Sequence, residues 1–106
     1  MTVTLETVYR GVERYITNEL APKATGLAKF MVYFTLPSIP NKINQLITQY
    51  QSLISSYFDS DGNILLDDLY HAAKQAMSHT IQFEYLGFIF KDSDIDLIYN
   101  FIKEAN

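Results

Sequence analysis

Apolar residues in this chain recur at three- and four-residue steps in four stretches and at two-residue steps in one. From Thr4 to Leu20 the positions Leu5, Val8, Tyr9, Val12, Ile16 and Leu20 lie on one face of a helix. Thr2 or Thr4 is placed to cap it, with Glu6 in the first turn where the helix dipole favours an acid. Gly11 sits inside this pattern at a cost of about 1 kcal/mol relative to Ala, which marks close packing against another helix. Pro22 ends this helix or begins the next.

Residues Lys23 to Leu36 are the most apolar part of the chain. The run Leu27-Ala-Lys-Phe-Met-Val-Tyr-Phe-Thr-Leu36 carries one charge, Lys29, and is apolar on every side of a helix. Crossing a bilayer takes about 20 apolar residues, so this run predicts no membrane span. A helix apolar all round is normally enclosed by a core, and a central core helix is the first expectation. The alternatives are an interface, with Leu27, Phe30, Met31 and Phe34 meeting another subunit or a partner protein, and contact with a membrane surface.

Pro37, Ser38 and Pro40 break the pattern, with Ser38 as cap and Pro40 in the first turn of a third helix. From Asn41 to Tyr57 this helix shows Ile43, Leu46, Ile47, Tyr50, Leu53, Ile54 and Tyr57 as its inward stripe. Its other face, Asn44, Gln45, Thr48, Gln49, Gln51, Ser52, Ser55 and Ser56, holds no charge, whereas exposed helix faces are commonly laced with Glu and Lys. Such a face suits either a wet interface or plain solvent. Asn63-Ile64-Leu65 reads as a short extended piece, and a helix from Asp67 to Ser78 turns Leu69, Ala72, Ala73, Ala76 and Met77 inward. In Thr80–Phe90, Ile81, Phe83 and Tyr85 alternate with Gln82 and Glu84, and Gly87 permits a turn. That is a β-hairpin with its aromatic face on the helices, and residues 63–65 would supply a third strand. A last helix from Asp92 to Lys103 buries Ile95, Ile98, Tyr99 and Ile102, with Asp92 or Ser93 as cap and Ser93 and Asp96 spaced as a capping box.

The stretch Asp59-Ser-Asp-Gly-Asn63 invites a calcium reading, since Asp59, Asp61 and Asn63 occupy alternate positions as in the first half of an EF-hand loop. The loop then fails where the geometry is most demanding. Counted from Asp59, the position that needs Gly holds Ile64, and the position of the closing Glu holds Tyr70. Asp67 or Asp68 would have to close a shorter loop with a shorter arm. A turn held by Asp and Ser side chains, with Gly62 at positive φ, explains the same residues, and no metal is expected. Asp67 and His71 stand one helical turn apart, which makes half a metal site or a surface ion pair. The triplet Asp92, Asp94 and Asp96 reads as helix N-terminal capping before it reads as a cation site.

Composition narrows the functional classes. The chain has 106 residues and 48% hydrophobic content, enough for one domain with a modest core. It divides into a helical half, 1–58, and a turn–helix–hairpin–helix half, 59–106. Without cysteine it has no disulfide framework, thiolate nucleophile or cysteine zinc site, and a reducing cytoplasm is permitted. No basic region followed by an apolar run stands at its start, so no signal peptide is expected. Residues 1–58 hold five basic and three acidic groups, net +2, and residues 59–106 hold three and nine, net −6. That balance and the lack of a Lys/Arg cluster argue against nucleic acid. No phosphate loop, HExxH, GxSxG or His–carboxylate cluster occurs, so no enzyme activity and no cofactor are expected.

The order Asp61-Gly62-Asn63-Ile64, Asp68-Leu69-Tyr70, Gly87-Phe88-Ile89-Phe90 and Ser93-Asp94-Ile95-Asp96-Leu97-Ile98-Tyr99 resembles small uncharacterised proteins encoded by phages and prophages of Gram-positive bacteria. The likeness covers the C-terminal half and rests on short motifs. It implies a phage-related origin, in the host cytoplasm or associated with the virion, and transfers no functional residues. The expected fold is α+β, mostly α, with four to five helices and a small antiparallel hairpin. The expected function is a small non-enzymatic interaction or assembly module that forms a homo-oligomer. An acidic inhibitor of a host protein, acting through Asp92, Asp94 and Asp96, and a weak calcium binder using Asp59, Asp61, Asn63 and Asp67 are the alternatives.

Overall fold

Helix α1 (Leu5–Tyr15) lies directly against α6 (Asp92–Ala105), and the other elements are arranged around that pair. The structure is a computed structural model and describes residues 1–78, 84–85 and 88–106. Its class is α+β and mostly helical, as the periodicity predicts. Thr4 caps α1, its Oγ1 accepting from the Thr7 N–H at 3.1 Å, while Thr2 belongs to a strand. At Gly11 α1 and α6 approach each other closely. A methyl group built there would lie 2.4 Å from Ile102 Cγ1 and 2.6 and 2.7 Å from Ile102 Cα and N. The helical pattern to Leu20 is real, but the helix widens into a π-helical turn over Ile16–Leu20 and tightens to a 3₁₀ turn at Ala21–Lys23. Pro22 has no N–H for a regular i→i−4 bond, and the side chain of Asn18 donates to the Arg14 carbonyl at 2.9 Å across the widened turn.

Two apolar clusters share the α1–α6 pair. One gathers Tyr15, Ile16, Leu20, Ala21, Ala24, Val32 and Ile39, with Phe90 and Phe101 packed against it. The other gathers Val3, Val8, Ile64, Leu66 and Ile102. The expectation of a central core helix at 23–36 is overturned. Helix α2 spans Leu27–Thr35 and buries Val32 alone. The third helical stretch is also not continuous: α3 runs Ile39–Gln49, the backbone breaks at Tyr50 (φ −110°, ψ 24°), and a single turn α4 (Gln51–Ile54) leads to a 3₁₀ turn at Ser55–Tyr57. Pro40 lies in the first turn of α3 as expected. Ser38 does not cap it, because its hydroxyl donates back to the Thr35 carbonyl at 2.6 Å.

The Asp59–Asn63 stretch is a turn. Asp59 Oδ1 accepts from the N–H groups of Asp61 and Asn63, both at 2.9 Å, and Gly62 adopts φ 79°. Strand β2 (Ile64–Leu65) then pairs antiparallel with β1 (Thr2–Val3), Val3 opposite Ile64, rather than with the hairpin. This correction has a plain cause: Val3 and Ile64 are both apolar, and pairing them closes the second cluster. Helix α5 (Leu66–Ser78) packs on α6. The hairpin forms from β3 (Glu84–Tyr85) and β4 (Phe88–Ile89), with Tyr85 opposite Phe88. The expected strand positions Ile81 and Phe83, and the turn residue Gly87, lie outside the described residues. At the start of α6 it is the Asp94 carboxylate that accepts from the Lys91 N–H, at 2.7 Å, in place of the expected Ser93 and Asp96 pair.

Candidate functional site

Nothing in the local sequence of α2 makes it a strong helix. It has nine residues, Gly26 at its cap offers no side chain, and its first turn holds no acid. Isolated helices shorter than about 12–15 residues are marginal in water, so α2 depends on packing. Within the chain that packing comes from Val32. Leu27, Phe30 and Phe34 keep 77%, 62% and 70% of their surface exposed, and Met31 and Tyr33 are exposed as well. The rings of Phe30 and Phe34, one turn apart, stack with centroids 5.9 Å from each other. The four residues expected at an interface, Leu27, Phe30, Met31 and Phe34, therefore all face outward.

The α3–α4 segment exposes apolar residues as well. Leu46, Tyr50 and Leu53, expected to point inward, are exposed. The uncharged residues of the other face are exposed too, and Asn44 accepts a hydrogen bond from the Tyr9 hydroxyl at 2.6 Å. Between α1, α3 and α6 lies an open apolar groove of about 520 Å³, lined by Val12, Ile43, Leu46, Phe90 and Ile98 among others. Its floor includes Tyr15, whose phenol is pushed well above the ordinary range by burial and then by the Asp94 carboxylate. Sequence reasoning misses Leu46, Tyr50, Leu53 and the groove. The uncharged face of that helix is the only signal of an unusual surface there.

The polar residues of the C-terminal half are used to join α5 to α6. Lys74 contacts Asp92 at 2.7 Å and Asp96 at 3.1 Å, and the Tyr70 hydroxyl donates to Asp96. The Tyr99 hydroxyl donates to Asp67, whose other oxygen meets the Met1 ammonium at 3.1 Å. Asp67 thus does not pair with His71; His71 lies beside the Tyr70 ring instead. Hydrogen bonds from Tyr70 and then Lys74 hold the Asp96 carboxyl below its ordinary range, and Tyr99 and then the terminal ammonium do the same for Asp67. The phenols of Tyr70 and Tyr99 are raised in turn, chiefly by those carboxylates.

Of the calcium candidates, Asp59 is engaged by its own turn and Asp67 by Met1 and Tyr99. Among the described residues no three His, Asp or Glu side chains are grouped to hold a metal ion. Among them, too, no helix is long and apolar enough to cross a membrane. No family model, curated protein or solved structure matches this chain.

Proposed function

We propose that this chain is a non-enzymatic interaction module that self-associates through α2. The observation that carries the reading is a nine-residue uncapped helix with one buried residue, Val32, whose outer face presents Leu27, Phe30, Met31 and Phe34. A second chain that covers Phe30 and Phe34 supplies the packing the helix lacks. Charge favours the same surface. Residues 24–58 carry two charges, Lys29 and Lys42, whereas residues 59–106 have a net charge of −6 and repel their own copies. The likeness of the C-terminal motifs to phage and prophage proteins gives such a module an assembly or regulatory setting, in the host cytoplasm or the virion. The inhibitor reading is weaker, since Asp92, Asp94 and Asp96 already have partners within the chain.

Sedimentation velocity tests the proposal. The full chain should pass from monomer to oligomer between about 1 μM and about 1 mM, and the Phe30→Asp/Phe34→Asp double variant should remain monomeric across that range. Both residues are exposed, so the variant's thermal melt should stay close to that of the parent. A parent chain that is monomeric throughout would remove the proposal.

A further inference from the structure

The groove between α1, α3 and α6 is separate from the surface just discussed, since none of its described lining residues belongs to α2. We propose that this groove binds a small amphiphile with an apolar body and one anionic head, in the class of a medium-chain carboxylate, with the head at Lys42. Size selects a small molecule. The groove holds about 520 Å³, within the roughly 300–1,000 Å³ of small-molecule sites. A protein partner in a specific interface covers about 800 Å² on each side, which is more than this groove presents. Its surface also grades from apolar to polar in one direction. Tyr15, Ile16 and Ile39 form a buried floor. The Phe90 ring, its centroid 5.8 Å from that of Tyr15, extends the floor together with half-buried Val12 and Ile98. The exposed polar lining residues all come from α3. Lys42, Gln45 and Gln49 stand at i, i+3 and i+7 and so form one row along a single lip. Charge selects the head. Lys42 is the cation of that lip, and no Asp or Glu is among the described lining residues. Asp94, which meets the Tyr15 phenol, lies outside the lining and accepts from the Lys91 N–H at 2.7 Å. The surrounding sequence has the same sign, because residues 20–58 hold Lys23, Lys29 and Lys42 and no acid. A carboxylate at the lip then meets the Lys42 ammonium, with the Gln45 amide one turn along as a second donor, while the apolar body lies on Tyr15, Phe90 and Ile98.

Isothermal calorimetry on the full chain tests this with decanoate, kept below micelle-forming concentrations, and with decylammonium, which carries the same body under the opposite charge. Decanoate should bind at one site per chain with a Kd on the order of 10⁻⁴ M. Decylammonium should bind about 10-fold more weakly. That order is diagnostic, because the chain's net charge of −4 favours the cation everywhere else. Lys42→Glu should abolish or invert the preference. Leu46→Asp puts an acid on the apolar part of the lip and should weaken decanoate by about 10-fold or more. Both residues are exposed, so each variant should melt close to the parent, and Leu46→Asn serves if Leu46→Asp melts early. The Phe30→Asp/Phe34→Asp variant should bind decanoate as the parent does, which sets the groove apart from adsorption on α2. Absence of binding heat, tighter binding of decylammonium to the parent, an unchanged preference in Lys42→Glu, or binding lost in the α2 variant would each overturn the proposal.

Discussion

Replacing Gly11 by Ala tests whether α1 and α6 are as close as the structure has them. The added methyl would stand 2.4 Å from Ile102 Cγ1, and a rotamer change at Ile102 could relieve that contact alone. The distances of 2.6 and 2.7 Å to Ile102 Cα and N are to backbone, and only separation of the two helices relieves those. Ordinary carbon contacts lie near 3.5–4.0 Å, so the helices must part by about 1 Å along their central contact. Overpacking of this kind costs typically about 1–3 kcal/mol, and here it falls on backbone, at the upper end. Against it stands the gain in helix propensity from Gly to Ala, about 1 kcal/mol. The net expectation is a loss of about 2 kcal/mol. For a domain near 100 residues that lowers Tm by roughly 8–16 °C. Thermal unfolding followed by circular dichroism reads the change directly. An unchanged or raised Tm for Gly11→Ala would show that propensity wins, and that α1 and α6 do not meet at this position.

The remaining predictions concern the turn and the tyrosine–carboxylate pairs. Asp59→Ala removes the acceptor for two backbone N–H groups and should cost about 1–2 kcal/mol in urea unfolding, with no compensating effect of calcium or chelator on the melting curve of the parent. Millimolar calcium that raised the parent's Tm would revive the loop as a metal site. Asp67 and Asp96 have folded pKa values below the ordinary 3.8, so their contribution is present above about pH 4 and is lost as pH falls through the folded values. Asp96→Asn should therefore flatten the acid limb of a stability-against-pH curve. Tyr70 and Tyr99 are raised above 10.0, so their contribution is present below about pH 10 and is lost as pH rises beyond it. Tyr70→Phe should make that alkaline loss shallower, and an identical slope would place the phenol in solvent.

How much of the fold is legible in the residues depends on whether local signals or packing decide the outcome. Thr4 as cap, Asp59–Gly62 as a turn and the antiparallel hairpin are readable, because each rests on chemistry within a few residues, and Gly11 is readable because a glycine inside a helix carries a cost that close packing, here on Ile102, accounts for. The partner of Ile64–Leu65 is not, since Thr2 and Val3 form a two-residue strand too short to leave a pattern. Spacing points to Ser93 and Asp96 for the α6 cap, but Asp96 is drawn away by Tyr70 and Lys74 from the neighbouring helix. The composition of α2 is clear and its position is not. An apolar helix enclosed by its own core and one enclosed by another chain have the same sequence. The stripe of Leu46, Tyr50 and Leu53 has the helical period of a buried face and stands exposed, because period alone does not say whether the chain itself supplies the cover.

Helix α2 held folded by a second chain is the central claim, and hydrogen exchange of its backbone amides addresses it directly. Mass spectrometry of peptides covering Leu27–Thr35 should show fast exchange in dilute protein. Protection should rise with concentration in step with oligomer formation, while peptides from α1 around Gly11 stay protected throughout. Exchange from Leu27–Thr35 that is independent of concentration would contradict it, whether uniformly slow, with α2 stable alone, or uniformly fast, with no chain covering it.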